Sequence, residues 1–364
     1  MVLMKKIFLT ISFILSIVYC NANFKQKFDR EIAKVSNQRL KEAKEGNPYY
    51  FMILGYYINA NNIMYTKTKE VKYLQNNVPI INAIIRAGKP VGNNLKGSVW
   101  KGEYRDKRKF ASVENKEVPL YEGYVFRYIA EFYYIIKGKN IKPTNNNLTL
   151  AFLEDNFDKW ILRSKNNYAD YSMLHRERLH MGAQWSSTAL FLYKITGKNS
   201  YKTLFTEFNN QLKSNLYLQQ TNNGKYYVWN ATYNNKFTKS LKRSLNRSNI
   251  IQDVSHGNHV VQYILDAYKL NEGGWKSNDI KYLSNTLKYS IWNPKTSTFA
   301  DNVDGSGSRS KEFKDTGWKQ ADGWMKLIEF DPNLKSIYNL YYSKNQSKID
   351  NYGPVKLQFY ALMF

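Results

Sequence analysis

Apolar residues recur at helical spacing along most of the chain. Phe24, Phe28 and Ile32 form one stripe of a charged amphipathic segment at residues 24–44. Residues 120–132 carry apolar side chains nearly all round, as in a helix buried between other helices. Further helical patterns cover residues 49–57, 71–87, 145–163, 170–196, 200–218, 253–268, 277–292, 318–329 and 354–364. The pattern therefore predicts about a dozen helices of ordinary length.

Strand patterns are scarce by comparison. Residues 225–229 predict one strand, and the turn at 222–224 precedes it. No change in composition indicates a domain boundary, so residues 23–364 are predicted to form a single all-α catalytic domain. The many antiparallel helix pairs predict an (α/α) toroid of about six or seven helical hairpins with a minor β-hairpin. Its inner helices would line a cleft.

The first 22 residues have the pattern of a secretory signal peptide. Basic residues precede an apolar run at residues 7–18, and residues 20–22 supply small side chains for cleavage. That run is too short to span a membrane comfortably, so no stable membrane insertion is expected. A lipoprotein acylated at Cys20 is the alternative, but Tyr19 is a poor match to the small residue usual before such a cysteine. We therefore expect a secreted or periplasmic protein.

The net charge is +25, from 54 basic and 29 acidic residues. A charge of this size attracts polyanions such as nucleic acid, an anionic membrane or an acidic polysaccharide. A general bias of the sequence towards Lys and Asn would explain the net charge equally well, without any binding partner. Arginine is sparse and no nucleic-acid motif is present, which argues against nucleic acid. The charge thus supports an acidic polysaccharide as the partner.

Histidine is rare and occurs in only two places, four residues in all. His256 and His259 are three residues apart, and Asp253 lies three before His256, so all three share roughly one face at the start of a helix. His175 and His180 form the other group. We expect the two groups to meet at one site. The alternative is that Asp253 only caps the helix.

A metal is a second interpretation of the same residues. Asp253, His256 and His259 are of ligand type, and residues three apart on a helix can share a metal ion. However, the His-Glu-x-x-His spacing is absent, and residues 301–307 lack the ligand spacing of a calcium loop. The sequence therefore predicts no metal site.

Three short segments carry a resemblance to a known family: residues 253–259, 181–185 and 321–327. Together they resemble the (α/α)-toroid polysaccharide lyases, which cleave uronic-acid polymers such as alginate and glucuronan. The resemblance extends over residues 119–364. It implies an (α/α) barrel, a secreted or periplasmic location, no nucleotide cofactor and β-elimination at the C5 proton. It also implies Tyr or His as base and acid, with Asn, Gln, His or Arg near the uronate carboxylate.

Eliminating a uronate requires three tasks. The carboxylate charge must be offset, a base must remove the C5 proton, and an acid must protonate the departing O4. Amides and guanidinium groups suit the first task, and imidazole suits the second because it titrates near neutral pH. Tyrosine is the acid that the resemblance implies. The predicted catalytic residues are His256, His259, Tyr233, Gln184 and Arg309.

A second set is predicted to bind substrate. His180 and Gln184 are four residues apart and share a helical face, so both can point into one cleft. A structural role as buried polar groups explains them equally well, and a tryptophan on a helix is more often a core residue. Arg309 lies in a Gly/Ser loop, where it is either part of a closing loop or simply solvated. The predicted substrate-binding residues are Asn258, His180, Trp185, Tyr121, Glu122 and Trp324.

Two other classes compete with the lyase. A toroid glycoside hydrolase needs two carboxylates flanking the bond, and Glu122, Asp253, Asp315 and Asp322 are the candidates. A secreted carbohydrate-binding protein without catalysis is the other. The basic charge and the His and amide residues favour a lyase that acts on an acidic polysaccharide, and the resemblance implies that it needs no cofactor.

Overall fold

The computed structural model describes residues 2–102, 116–168, 174, 178–232, 250–308, 311 and 313–364. Within these, the side chains of residues 2–22, 164–168 and Pro354 are left undescribed. The predicted signal peptide therefore falls outside the described side chains and stays a prediction.

Helices make up most of the described chain, so the mostly helical class is confirmed. The helices are α1 Val2–Glu45, α2 Phe51–Thr68, α3 Lys72–Ala87, α4 Pro119–Gly138, α5 Leu150–Tyr168, α6 Leu179–Thr196, α7 Asn199–Ser214, α8 Val254–Lys269, α9 Ser277–Asn285, α10 Leu334–Asp350 and α11 Gly353–Met363. Short 3₁₀ helices cover Pro48–Tyr50 and Trp324–Glu329, and a π-helical turn covers Thr286–Ile291. Within the described residues, no helix is long and apolar enough to cross a membrane.

The described strands form short antiparallel pairs between helices. They are β1 Lys89–Gly92 with β2 Leu95–Val99, β3 Leu216–Thr221 with β4 Gly224–Trp229, and β5 Trp292–Asn293 with β6 Thr298–Phe299. The predicted strand at 225–229 is confirmed as β4. The predicted helix at 200–218 is wrong beyond Ser214, because Leu216 and Tyr217 pair with the residues of β4 instead.

Several helix boundaries follow from single residues. Gly197 ends α6 at φ 71°, and its N–H donates to the carbonyl of Tyr193 at 2.7 Å, the geometry of a glycine C-cap. Pro119 opens α4 at a position where no backbone N–H is needed. Asp253 caps α8.

The most buried helices contact one another in chain order. Helix α2 packs against α4, α4 against α6, α6 against α8, α8 against the 3₁₀ helix at Trp324, and that helix against α11. Helix α11 in turn packs against α2. Gly55 allows the first of these contacts, because a Cβ there would lie 2.4 Å from the carbonyl oxygen of Tyr124. The series of contacts thus returns to its starting helix.

Further helices pack against members of this series or against one another. Helix α3 packs against α2, α5 against α4, α7 against α6 and α10 against α11, while α1 covers α3 and α11. The series itself is buried nearly all round, as the apolar pattern of residues 120–132 predicts for α4.

Isolated β-bridges align the segments that lead into α6 and α8. Arg178 pairs with Thr232, Asn230 with Ile251, and Asp253 with Asn302. The residues just before each helix are therefore joined to the same short stretch of backbone. These bridges bring the amino-terminal ends of α6 and α8 side by side.

Gly323 provides a test of the close contact between α8 and the 3₁₀ helix. A Cβ there would lie 2.0 Å from the carbonyl oxygen of Asn258, and backbone cannot move aside as a side chain can. We expect Gly323→Ala to lower the free energy of unfolding by about 3 kcal/mol in urea titration. Gly307→Ala is the control, because no atom lies within 4 Å of its Cβ position. Equal stability of the two variants would contradict the packing described here.

Candidate active site

Three histidines lie together at the amino-terminal ends of α6 and α8. The ring centroids of His180 and His256 are 4.4 Å apart, and those of His180 and His259 are 6.4 Å apart. His180 is in the first turn of α6, and both others are in the first turns of α8. His180, the described member of one histidine group, therefore meets both members of the other group. His175 lies outside the described residues.

Asp253 both caps α8 and orients His256. Its Oδ1 accepts hydrogen bonds from the backbone N–H of His256 at 2.9 Å and from the hydroxyl of Ser255 at 2.7 Å. Both carboxylate oxygens lie 3.0 Å from Nδ1 of His256, so Nδ1–H donates and Nε2 remains an acceptor. Burial raises the pKa of Asp253, but the hydrogen bonds from His256 and Ser255 outweigh it and hold the pKa well below its ordinary value. The capping and the functional interpretation of Asp253 thus apply together.

His259 lies deeper, against a buried ion pair. Nη2 of Arg127 donates to Oδ2 of Asp322 at 2.5 Å, and the same oxygen accepts a hydrogen bond from Nδ1 of His259. Asp322 is already paired with Arg127, so its carboxylate does not offset the cost of charging His259. Burial lowers the pKa of His259 well below its ordinary value, and the positive charge of Arg127 lowers it further. His259 is neutral at pH 7, with Nε2 as an acceptor.

Tyrosine hydroxyls from α2 and α4 border these groups. The ring of Tyr124 meets His259 edge-on, with 5.2 Å between centroids. Burial raises the pKa of both Tyr124 and Tyr56, and the charge of Asp322 raises both further. Gln184 favours the phenolate of Tyr124 but forms no hydrogen bond of standard geometry with it. Both tyrosines therefore keep their protons at neutral pH and can donate them.

We call this group the central cluster: His180, His256, His259, Asp253, Asp322, Arg127, Tyr124 and Gln184. Several of its buried polar atoms lack a hydrogen-bond partner among the described residues. They are Nδ1 of His180, Nε and Nη1 of Arg127, Oδ1 of Asp322, and both amide atoms of Gln184. A buried donor or acceptor left unpaired costs about 1–3 kcal/mol, so proteins seldom keep several together without a function. This concentration marks the central cluster as the candidate site.

Two predicted substrate-binding residues have partners inside the protein. Oδ1 of Asn258 accepts from the backbone N–H groups of Gly323 at 2.6 Å and Trp324 at 2.9 Å. The fully buried Glu122 forms an ion pair with Lys159 at 2.8 Å. Asn258 therefore holds the 3₁₀ helix beside Asp322, and Glu122 stabilises the start of α4. We leave both out of the proposed site.

Among the aromatic residues predicted to bind substrate, the two tryptophans also have partners inside the protein. The indole N–H groups of Trp185 and Trp324 donate to backbone carbonyls at 2.9 and 3.0 Å, and both side chains are buried. Trp324 stacks on Trp229, with 5.7 Å between centroids. Tyr121 is partly accessible at the start of α4. The tryptophans act as core residues in this arrangement.

Two predicted catalytic residues, Tyr233 and Arg309, lie outside the described residues. Phe313, four residues after Arg309, meets His256 edge-on, with 5.1 Å between ring centroids. Phe313 lies after the predicted closing loop, so this contact does not test the predicted closure. The roles of Tyr233 and Arg309 stay predictions.

Arg127 and Tyr124 are not among the residues predicted from the sequence, and Asp322 is predicted there only as a hydrolase acid. A signal for Arg127 was present, because it is a lone arginine within the apolar pattern of residues 120–132. Arginine is almost never fully buried unless it is paired, so this position required a buried partner. Nothing local identified that partner as Asp322, which is 195 residues away.

No group of three or more His, Cys, Asp or Glu side chains is arranged to hold a metal ion in the described part of the chain. Comparison with protein-family models, curated proteins and solved structures finds no match for this chain. The fold and the site therefore define a mostly helical protein with a buried His–Asp–Arg centre.

The depressed pKa of His180 predicts how stability depends on pH. Burial lowers this pKa first, and the nearby His256 lowers it further. The unfolded chain binds a proton near pH 6.5 that the folded chain does not, so stability is full above about pH 6.5 and falls on acidification. We expect His180→Gln to reduce the pH slope of the unfolding free energy by up to about 1.4 kcal/mol per pH unit between about pH 5 and 6.5. Urea unfolding across that range measures it. Identical slopes in both proteins would contradict the neutral state of His180.

Proposed function

We propose that this chain is a secreted (α/α)-toroid polysaccharide lyase that cleaves an anionic uronic-acid polymer, such as alginate or glucuronan, by β-elimination. The proposal rests chiefly on one observation: the central cluster keeps buried donors and acceptors unpaired beside an accessible histidine. Such groups gain their missing partners when a polar ligand binds.

The packing of the helices supports the toroid. The contacts from α2 through α4, α6, α8 and the 3₁₀ helix to α11 return to α2, and other helices pack outside them. An (α/α) toroid has this alternation of inner and outer helices. The three described histidines of the central cluster lie in the first turns of α6 and α8, where the positive end of the helix dipole favours an anionic substrate.

His256 is the proposed base. Its side chain is 27% exposed, whereas that of His259 is 3% exposed. Asp253 fixes the tautomer that leaves Nε2 free to accept a proton, and it stabilises the imidazolium that results. Among the described histidines, His256 alone combines an oriented acceptor with access to a polymer.

Arg127 and Gln184 are proposed to offset the charge of the uronate carboxylate. Among the described residues, Nε and Nη1 of Arg127 and the amide of Gln184 have no hydrogen-bond partner. Both side chains are as buried as His259, so they can act only on a carboxylate that enters the cluster beside His256. Fixed donors in a site of low dielectric stabilise the enolate-like state that forms when the C5 proton leaves. Asp322 and His259 hold Arg127 in place.

Tyr124 is the proposed acid, because its raised pKa keeps a proton available. In the reaction, Nε2 of His256 takes the C5 proton and the C5–H electron pair forms the C4=C5 double bond. The C4–O4 bond breaks as Tyr124 donates its proton to O4. Return of the proton from His256 to Tyr124 restores the starting state.

Hydrolysis is less well supported, because the candidate carboxylates are already engaged. Asp322 pairs with Arg127, Glu122 with Lys159, and the exposed Asp315 with Lys348 at 2.6 Å. Asp253 caps α8 and binds His256. A hydrolase needs one carboxylic acid and one free carboxylate across the bond. The net charge of +25 also suits an acidic polymer.

The first test is the formation of unsaturated uronate, which absorbs in the ultraviolet, when the purified protein acts on alginate, glucuronan and other polyuronates. We expect a steady rise on at least one polymer and a loss of about 100-fold or more in His256→Ala, the range typical for removal of a general base. Circular dichroism checks that the variant is folded. New reducing ends without absorbance would indicate a hydrolase. Binding without either product would indicate a carbohydrate-binding protein.

The second test concerns the acid. Tyr124→Phe removes only the hydroxyl, so we expect kcat to fall by about 100-fold or more with little change in KM. Tyr263→Phe is the matched control, because this buried tyrosine on α8 donates to the carbonyl of Phe205, away from the central cluster. We expect the control to keep its activity. A Tyr124→Phe variant as active as the control would remove Tyr124 from the mechanism.

A further inference from the structure

A cavity of about 520 Å³ lies at the carboxyl-terminal ends of α2, α4 and α8, and no residue of the central cluster lines it. The 3₁₀ helix and Leu362 of α11 complete its wall. This volume is in the range of small-molecule sites. The reaction proposed above makes no use of it.

The inner wall of the cavity is apolar. It is formed by the buried side chains of Ile63, Ile135, Phe191, Leu265, Met325 and Leu362. An apolar ligand surface placed against this wall would leave water, at about 25 cal/mol for each Å² buried. The wall therefore favours a ligand with an apolar body.

The mouth of the cavity is cationic. The exposed residues that line it include Lys67, Lys139, Lys269 and Glu329. Glu329 is paired with Lys269 at 2.5 Å. Neither Lys67 nor Lys139 has a carboxylate within ion-pair distance among the described residues. The mouth therefore presents two ammonium groups with which the carboxylate of a ligand can pair.

Lys67 has a hydrogen-bond partner in α11. It is an exposed residue, and its ammonium donates to the carbonyl of Leu362 at 2.8 Å. Burial lowers the pKa of Lys67 to about 8, and the positive charges of Lys335 and Lys269 contribute, against Glu329. An anion at this position would offset the repulsion.

The charges deeper in the cavity largely compensate one another. The ammonium of Lys326 donates to Gln262, and burial lowers its pKa while the nearby carboxylates of Glu131 and Asp266 oppose that lowering. Glu131 accepts from the amide of Asn62 at 2.9 Å, and Asp266 accepts from Gln262 at 2.6 Å. These groups can contact the polar end of a ligand, but they place no demand on the sign of its charge.

We propose that this cavity binds a small organic anion, with its carboxylate at Lys67 and Lys139 and its apolar body against the inner wall. The ligand class follows from two lysines without an ion-pair carboxylate among the described residues, together with the apolar lining. The proposal is independent of the lyase activity, since none of its residues belongs to the central cluster.

Calorimetric titration of the purified protein with octanoate tests this, with octanol and octylammonium as probes of similar size and different charge. We expect octanoate to bind about 10-fold or more tightly than either control, because a partly buried ion pair contributes on the order of 1.4 kcal/mol. Lys67→Met should abolish this preference while octanol binding remains. Lys295→Met, at an exposed lysine between β5 and β6, should leave it unchanged.

A second measurement reports on Lys67 directly. When its amine is isotopically labelled by reductive methylation, NMR titration follows its pKa, which we expect to rise from about 8 when octanoate binds. No saturable binding of octanoate, tighter binding of octylammonium, or an unchanged octanoate preference in Lys67→Met would each overturn the proposal.

Discussion

The candidate site depends on one carboxylate oxygen. Oδ2 of Asp322 accepts from both Arg127 and His259, and all three side chains are buried. Loss of the carboxylate would leave a guanidinium without its counter-charge in the protein interior, which costs several kcal/mol. Asn258 holds the backbone just after Asp322 against α8, so this oxygen stays in register with His259. The neutral state of His259 and the free donors of Arg127 both follow from this arrangement.

Local chemistry in the sequence was a good guide to helices and caps, and a poor guide to long-range pairs. The helical class, strand β4, the cap at Gly197 and the meeting of the histidines all follow from spacing or residue type. The start of β3 was misassigned because Leu216 and Tyr217 continue the helical pattern until pairing with β4 overrides it. The partnership of Arg127 with Asp322 joins distant segments, and no local pattern encodes such a contact.

Helix α8 connects the two ends of the molecule through one polar face. His256, His259, Gln262 and Asp266 follow one another at spacings of three or four residues, so they lie on the same side of the helix. His256 and His259 belong to the central cluster, and Asp266 lines the cavity near the carboxyl-terminal end of α8. A core of this kind gains specificity from paired polar groups rather than from apolar packing alone.

The return of the packing series to α2 has a consequence for how the chain reaches its native state. The contact between Gln358 and Asn59 joins residues 299 apart, and that between Arg127 and Asp322 joins residues 195 apart. Neighbouring helical pairs can form early because their loops are short. The two long-range contacts must wait for distant segments, and forming them costs more chain entropy. During synthesis on the ribosome, the charged centre would therefore be assembled among the last parts of the protein, after the apolar pairs that enclose it.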